Sequence, residues 1–230
     1  VESKHHKPLS EASKTLYYNV VSIALNKAVK DDLIPLNPAT KILYSDRPRK
    51  GNATKEYLTL DEVKELIKTP CKYDMLKRAF LFACFCGLRY SDIRRLTWNK
   101  MHKVDGNKFQ VEIKQQKTGE TLYLPLSENA LSWLPEQKET NDNIFLLPNS
   151  TTTIEKHLGI WSKTAGINKH ITFHVARHTN ATLMLYFGGD IYTVSKLLGH
   201  TSVKTTQVYA KIVDENKRKT VNLIPNIVKD

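Results

Sequence analysis

Three clusters in this 230-residue sequence hold side chains able to bind and attack a phosphate ester. The first is Cys86-Gly87-Leu88-Arg89-Tyr90-Ser91-Asp92-Ile93, where Arg89 falls in a turn before a helix whose amino end favours an anion. A lone arginine there would more often pair with a surface acid. The second is His174-Val175-Ala176-Arg177-His178. His174 and Arg177, three apart, share a helix face and can offer an imidazole and a guanidinium to one ligand. His174 and His178, four apart, also have zinc-ligand spacing. However, Val175 stands where His-Glu-x-x-His needs glutamate, and no third ligand is evident. Phosphate binding by Arg177 is the stronger reading, with His178 a hydrogen-bonded core residue. The third cluster is Leu197-Leu198-Gly199-His200-Thr201-Ser202, followed by Tyr209. One tyrosine among ten is usually a half-buried packing residue. What gives Tyr209 weight is the order and company of the other groups.

These residues must be positioned by a mostly α fold with a small antiparallel sheet (α+β). Residues 10–30 read as one helix with Leu16, Val20, Ile23 and Ala24 on a shared face, ended by Asp31-Asp32 and the Pro35/Pro38 pair. A capping box, Thr59-Leu-Asp-Glu62, opens an amphipathic helix through Ile67. An apolar helix from about Tyr73 to Cys86 ends at Gly87, and Ser91 is expected to cap a short helix from Asp92 to Leu96. The alternating runs Phe109 to Lys114 and Thr121 to Leu124 flank Gln116-Lys117-Thr118-Gly119, a hairpin signal. Helices are expected around 127–134, 151–165, 174–187, 190–198 and 202–212.

Composition narrows the function. Lys and Arg total 35 against 23 acids, a net charge of +12, with an isoelectric point near 9.5. Residues 1–54 hold nine basic and five acidic side chains and the remainder 26 and 18, so the excess is no single tail. A polyanionic partner is implied, with nucleic acid ahead of membrane. The longest apolar run, Ala79 to Leu88, is too short to cross a bilayer. Three cysteines, two inside that run, argue for packed, reduced thiols in a cytoplasmic protein. A chain this long buries about 70% of its unfolded surface and needs no disulfide staple. The chain begins at Val1 and a single helix precedes the basic stretch Arg47-Pro-Arg49-Lys50, so a fragment of a longer protein is expected, its first helix the end of a larger helical domain.

The series Gly-Leu-Arg, a lysine-bearing hairpin, His-x-x-Arg-His, Leu-Gly-His and Tyr resembles the tyrosine recombinase, or phage-type integrase, family from about residue 55 to residue 212. Integrases of integrative and conjugative mobile elements are the nearest kind. Five separated motifs in the right order make the resemblance specific. It implies a catalytic domain over 55–230, preceded by a basic linker at 47–54 and the C-terminal part of a core-binding domain at 1–46. It implies catalytic roles for Arg89, Lys117, His174, Arg177, His200 and Tyr209, with Asp92 supporting the first arginine and Lys114 a rival to Lys117. Arg47, Arg49 and Lys50 are candidate DNA contacts. Asn180 departs from the aromatic or apolar residue usual in mobile-element relatives, which puts packing in doubt and is expected to leave the chemistry alone.

The implied activity is cleavage and rejoining of double-stranded DNA through a 3′-phosphotyrosyl intermediate, with no cofactor and no metal. Two guanidiniums would bind the nonbridging oxygens; His174 is the candidate proton acceptor and Lys117 the general acid. Integration and excision of a mobile element in the cytoplasm, at the nucleoid, follow from the resemblance. So do a synaptic tetramer and accessory DNA-bending proteins, with no membrane. Val221, Leu223, Ile224, Ile227 and Val228 are expected to pack on a neighbouring protomer or on their own domain. Two rivals stay open. A non-catalytic helix-turn-helix regulator would place Lys204, Thr205 and Gln207 on DNA, and a type IB topoisomerase would share the ester chemistry.

Overall fold

The computed structural model describes residues 9–49, 55–114, 119–137, 139 and 142–210. The chain divides into two compact units, residues 1–54 and 55–230. The first unit is built on α1 (Glu11–Lys30), whose N-cap Ser10 accepts from the Ser13 N–H. A 3₁₀ turn at Pro38–Lys41 follows, and Asn37 ties it back by donating to Ser22 O and Asn26 Oδ1. α1 has no buried residue, and its anticipated apolar stripe stands in solvent, Leu16 at 60% and Ile23 at 68% exposure.

The second unit opens with α2 (Leu60–Lys68), started by the complete Thr59–Glu62 capping box. α3 (Asp74–Cys86) is buried nearly all round, as its apolar sequence requires, and Gly87 ends it with φ +71°. α4 (Tyr90–Arg94) begins earlier than expected: Arg89, not Ser91, is its N-cap, because the Arg89 carbonyl accepts from both Asp92 N and Ile93 N. The Ser91 hydroxyl instead meets Asp92 Oδ1 at 3.3 Å.

A three-stranded antiparallel sheet follows, β1 (Met101–Asp105), β2 (Lys108–Lys114) and β3 (Thr121–Leu126), in the order β1-β2-β3. Its register pairs Met101 with Val111 and Lys114 with Thr121. Val111, Ile113, Leu124 and Leu126 face the core, while Glu112 meets Lys100 at 2.6 Å and His102 at 3.2 Å. The chain continues through α5 (Glu128–Leu131), α6 (Thr151–Thr164), α7 (Phe173–Tyr186) and α8 (Ile191–Leu197), then a 3₁₀ turn at Val203–Thr205 and α9 (Gln207–Ala210). The segment read as one helix over 202–212 is thus broken, because Ser202 caps the 3₁₀ turn with its side chain. A recognition helix starting at residue 202 is not what this stretch forms.

One large core lies under α3. Phe80 meets Trp161 edge-on at 5.7 Å and Phe173 at 5.8 Å, and Phe82 meets Phe145 at 5.1 Å. Cys84 and Cys86 are buried within it as free thiols, and burial pushes the Cys86 thiol up to about 12. A smaller cluster of Ala181, Leu185, Val194 and Leu198 holds the ring of Tyr209. No helix among the described residues is long and apolar enough to cross a membrane.

Among the described glycines, Gly87 leaves the least room for a side chain. A Cβ there would lie 2.5 Å from Asn180 Oδ1 and 2.8 Å from Leu198 Cδ2, at a φ that side chains disfavour. Gly87→Ala is expected to lower stability by at least about 2 kcal/mol, read as a shift of the denaturant midpoint without a change in slope.

Candidate active site

α7 carries the centre of the site. Thr172 caps it by accepting from the Val175 N–H, which sets His174, Arg177 and His178 in its first turns. The helix is unusual in burying Arg177, His178, Thr179, Asn180 and Thr182, so each polar group needs a partner. Arg177, 5% exposed, donates to the Gly87 carbonyl at 2.8 Å and to the Leu198 carbonyl. Gly87 and Leu198 are the C-caps of α3 and α8. Carbonyls at such ends lack helical partners and carry partial negative charge. One guanidinium therefore closes two helix ends and keeps the rest of its five-donor fork for a ligand.

Both closed ends lead directly into functional side chains. Arg89 follows Gly87 by two residues, and His200 follows Leu198 by two. Gly199 turns the chain at φ +61°, and His200 Nδ1 lies 2.8 Å from Thr206 Oγ1. Asn180 secures the first turn, donating to Cys84 O at 3.1 Å while its Oδ1 crowds Gly87. Its polar side chain thus packs against the turn that precedes Arg89, a packing role as expected, with no hydrogen bond to a candidate catalytic side chain among the described residues.

The charged groups on these turns lie close enough to act on one another's titration. Burial pushes the His200 pKa down to about 4, helped by Arg177, Arg89 and Lys55. Burial and the same three cations lower His174. Arg177 itself falls to about 10 through burial and then Arg89, and stays charged at neutral pH. Asp92 forms no ion pair with Arg89 among the described residues; its carboxylate acts on Arg177, favouring the charged form. Arg89 and His174 are exposed, whereas Arg177, His178 and Tyr209 lie buried behind them.

Tyr209 is 2% exposed, more deeply set than a half-buried packing residue, and burial raises its pKa. Its hydroxyl lies 2.6 Å from His178 Nδ1. Lys55 Nζ stands 5.0 Å over its ring, within the range of a cation–π contact. The segment bearing Lys55, which leads into α2, is docked on α7, with Leu58 N donating to Thr179 Oγ1 at 2.8 Å and Lys169 donating to Tyr57 O at 2.9 Å.

Arg89, His174, Arg177, His200 and Tyr209 therefore come together, while Lys117 lies outside the described residues. So do Lys50 and the apolar residues Val221 to Val228. In the first unit, Arg47 donates to Ile42 O and Thr40 O, and Arg49 lies 5.1 Å from the Tyr44 ring. Sequence reasoning did not place Lys55 or give His178 a partner in the site. His178 had a signal, its adjacency to Arg177; Lys55 had none.

The imidazoles whose proton uptake the fold disfavours make it acid-sensitive. The folded pKa values of His174, His178 and His200 lie below the unfolded value of about 6.5, so on acidification the unfolded chain takes up protons first. Stability present above about pH 6.5 is lost as the pH falls toward 3, the folded pKa of His178. Denaturant midpoints of wild type and His178→Asn should converge between pH 7 and pH 4.5; parallel curves would contradict this.

Comparison with known proteins matches residues 56–216 to the phage integrase family. Tyrosine recombinase XerC of Yersinia pestis is 28% identical over 218 residues, covering 89% of this chain and 70% of that protein. Tyrosine recombinase XerC of Chlamydia pneumoniae is 31% identical over 201 residues, 80% of this chain and 62% of that one. Among solved structures, the Tn1549 transposon integrase in complex with circular intermediate DNA has a TM-score of 0.70 at 19% identity, over 93% of this chain and 80% of that one. A lambda integrase dimer bound to a COC′ core site has a TM-score of 0.67 at 24% identity, over 90% and 75%. These two likenesses are of fold. A family match over most of the chain, enclosing the whole cluster of arginines, histidines and tyrosine, places this protein in the phage integrase family of tyrosine-type site-specific recombinases, enzymes that cleave and rejoin DNA.

Proposed function

We propose that this protein cuts DNA by forming a 3′-phosphotyrosyl ester at Tyr209 and reseals it to a second strand, integrating and excising a mobile element. The observation that carries the reading is the convergence of Arg89, His174, Arg177 and His200 on the pocket that seats Tyr209. Attack on a phosphodiester puts added negative charge on its nonbridging oxygens. Arg89 and the free edge of the Arg177 fork neutralise that charge with paired hydrogen bonds. His174 and His200, neutral at physiological pH, each supply a further N–H donor. The phenol attacks phosphorus, the 5′ oxygen departs with a proton from Lys117, and the ester keeps the bond energy for rejoining.

Asp92 serves this cluster by supporting the charge of Arg177. The helical unit at residues 1–54 serves as core-binding structure that grips the duplex, with Arg47, Arg49 and Lys50 along the DNA backbone. Four protomers on two duplexes, with accessory proteins that bend the DNA, perform the exchange at the nucleoid. The dimer described for lambda integrase on its core site is consistent with protomer pairing. The curated relatives are named XerC, and the transposon integrase likeness is of fold, so the identity of the recombined element is for experiment.

Incubation with a pool of nicked, random-sequence duplexes should yield covalent DNA–protein adducts, and sequencing their attached strands identifies the target. Tyr209→Phe should abolish the adducts and leave DNA affinity nearly intact, with that affinity falling steeply as salt rises. Undiminished adducts from the variant would remove Tyr209 from its role.

A further inference from the structure

We infer that His178, not His174, takes the proton from the Tyr209 hydroxyl as the strand is cut and returns it as the strand is resealed. The inference rests on the phosphotyrosyl reading above and deepens it.

Contact decides between the two histidines. His178 Nδ1 lies 2.6 Å from the phenol oxygen, the atom that must lose a proton to attack phosphorus. Among the described residues it is that hydroxyl's hydrogen-bond partner, and both side chains are buried, at 5% and 2% exposure. Bulk water is thereby kept from serving as the base. His174 touches this pair through His178, its ring meeting the His178 ring edge-on at 4.4 Å. It is exposed on the outer side of the site, where it can donate to the phosphate. A proton acceptor must sit within hydrogen-bond reach of the proton it removes, and His178 meets that condition.

The step balances. The Tyr209 O–H bond breaks, its electron pair forms the oxygen–phosphorus bond, and the proton passes to His178 Nδ1. The phosphorus–O5′ pair leaves with the departing oxygen, which takes a proton from Lys117. Resealing runs the same transfers backward.

The surroundings add a gate. Burial first, and then neighbours that include the cations Lys55 and Arg177, push the His178 pKa down to about 3, so in the free protein it is a neutral, weak base. Lys55 lies in the segment before α2, Arg177 and His174 on α7, His200 in the turn after α8, and Tyr209 on α9. A bound phosphodiester sets negative charge against those same cations and offsets their effect on His178. With substrate bound, the proton of the Tyr209 hydroxyl is therefore easier for His178 to take than in the free protein.

Two measurements test this. In the free wild-type protein, ¹⁵N NMR of the histidine side chains should show His178 as the Nε2–H tautomer, with Nδ1 bare to accept; a protonated Nδ1 overturns the inference. Single-turnover cleavage is then followed on the nicked duplex recovered by adduct sequencing. His178→Leu and His178→Asn should each lose about 100-fold or more in cleavage rate, with unchanged DNA affinity and a cooperative melt. A fluorotyrosine at position 209, being a stronger acid, should recover most of the loss. Normal cleavage by the Asn variant, whose amide oxygen can hold the phenol but not take its proton, overturns the inference, as does a loss that fluorotyrosine leaves unchanged. Should the Leu variant fail to fold, Asn and the tautomer carry the test. Adducts persisting in Tyr209→Phe would defeat the wider reading, whereas their absence beside a fully active His178 variant defeats this inference alone.

Discussion

A buried guanidinium between two helix ends is the joint on which this site depends. Removing an arginine's charge from water costs several kcal/mol unless geometry and hydrogen bonds compensate. Arg177 obtains that compensation from the carbonyls of Gly87 and Leu198, the caps of α3 and α8. The same contacts fix the starting points of the two turns that deliver Arg89 and His200. Structural and functional roles are thus combined in one side chain. Gly87 must be glycine, and Asn180 must fit beside it, because the carbonyl that Arg177 grips lies in that turn.

Around this joint the pocket gathers positive charge. Arg89 acts on Arg177, and together with Lys55 these cations bear on the imidazoles around them; the charged form of Arg177 is favoured by Tyr209, Asp92 and Cys86. The histidines respond by staying neutral, and the tyrosine by staying protonated. On the proposed reading a phosphodiester brings the negative charge that these cations favour, and a site whose charges are already placed avoids reorganisation when the reaction occurs.

Much of this was legible in the sequence wherever local chemistry determines structure. The Thr59–Glu62 capping box, the Gly87 cap and the pairing of the Phe109 and Thr121 runs all depend on neighbours in the chain, and each formed as read. The cationic series was legible through its order. What escaped needed tertiary context. β1 is an edge strand with half-exposed residues and little alternation to announce it. The start of α4 follows from the extended backbone of Arg89, set by the Gly87 turn, and not from the better capping residue Ser91. The 202–212 stretch has helical residues, yet Ser202 and Thr206 bend it to seat Tyr209 against Leu198. The contacts of His178 and Lys55 join segments 31 and 154 residues from each other's partners in sequence, beyond any local pattern.

The double role of Arg177 is tested most directly by the charge of the scissile linkage. Single-turnover cleavage would be compared for wild type and Arg177→Lys on a natural phosphodiester and on a methylphosphonate, which lacks one nonbridging oxygen and its charge. If the guanidinium grips those oxygens, lysine, unable to copy its fork, should lose most activity on the phosphodiester and much less on the neutral linkage. An equal loss on both would mean that Arg177 only holds the helix ends together, and the phosphate grip would have to be abandoned.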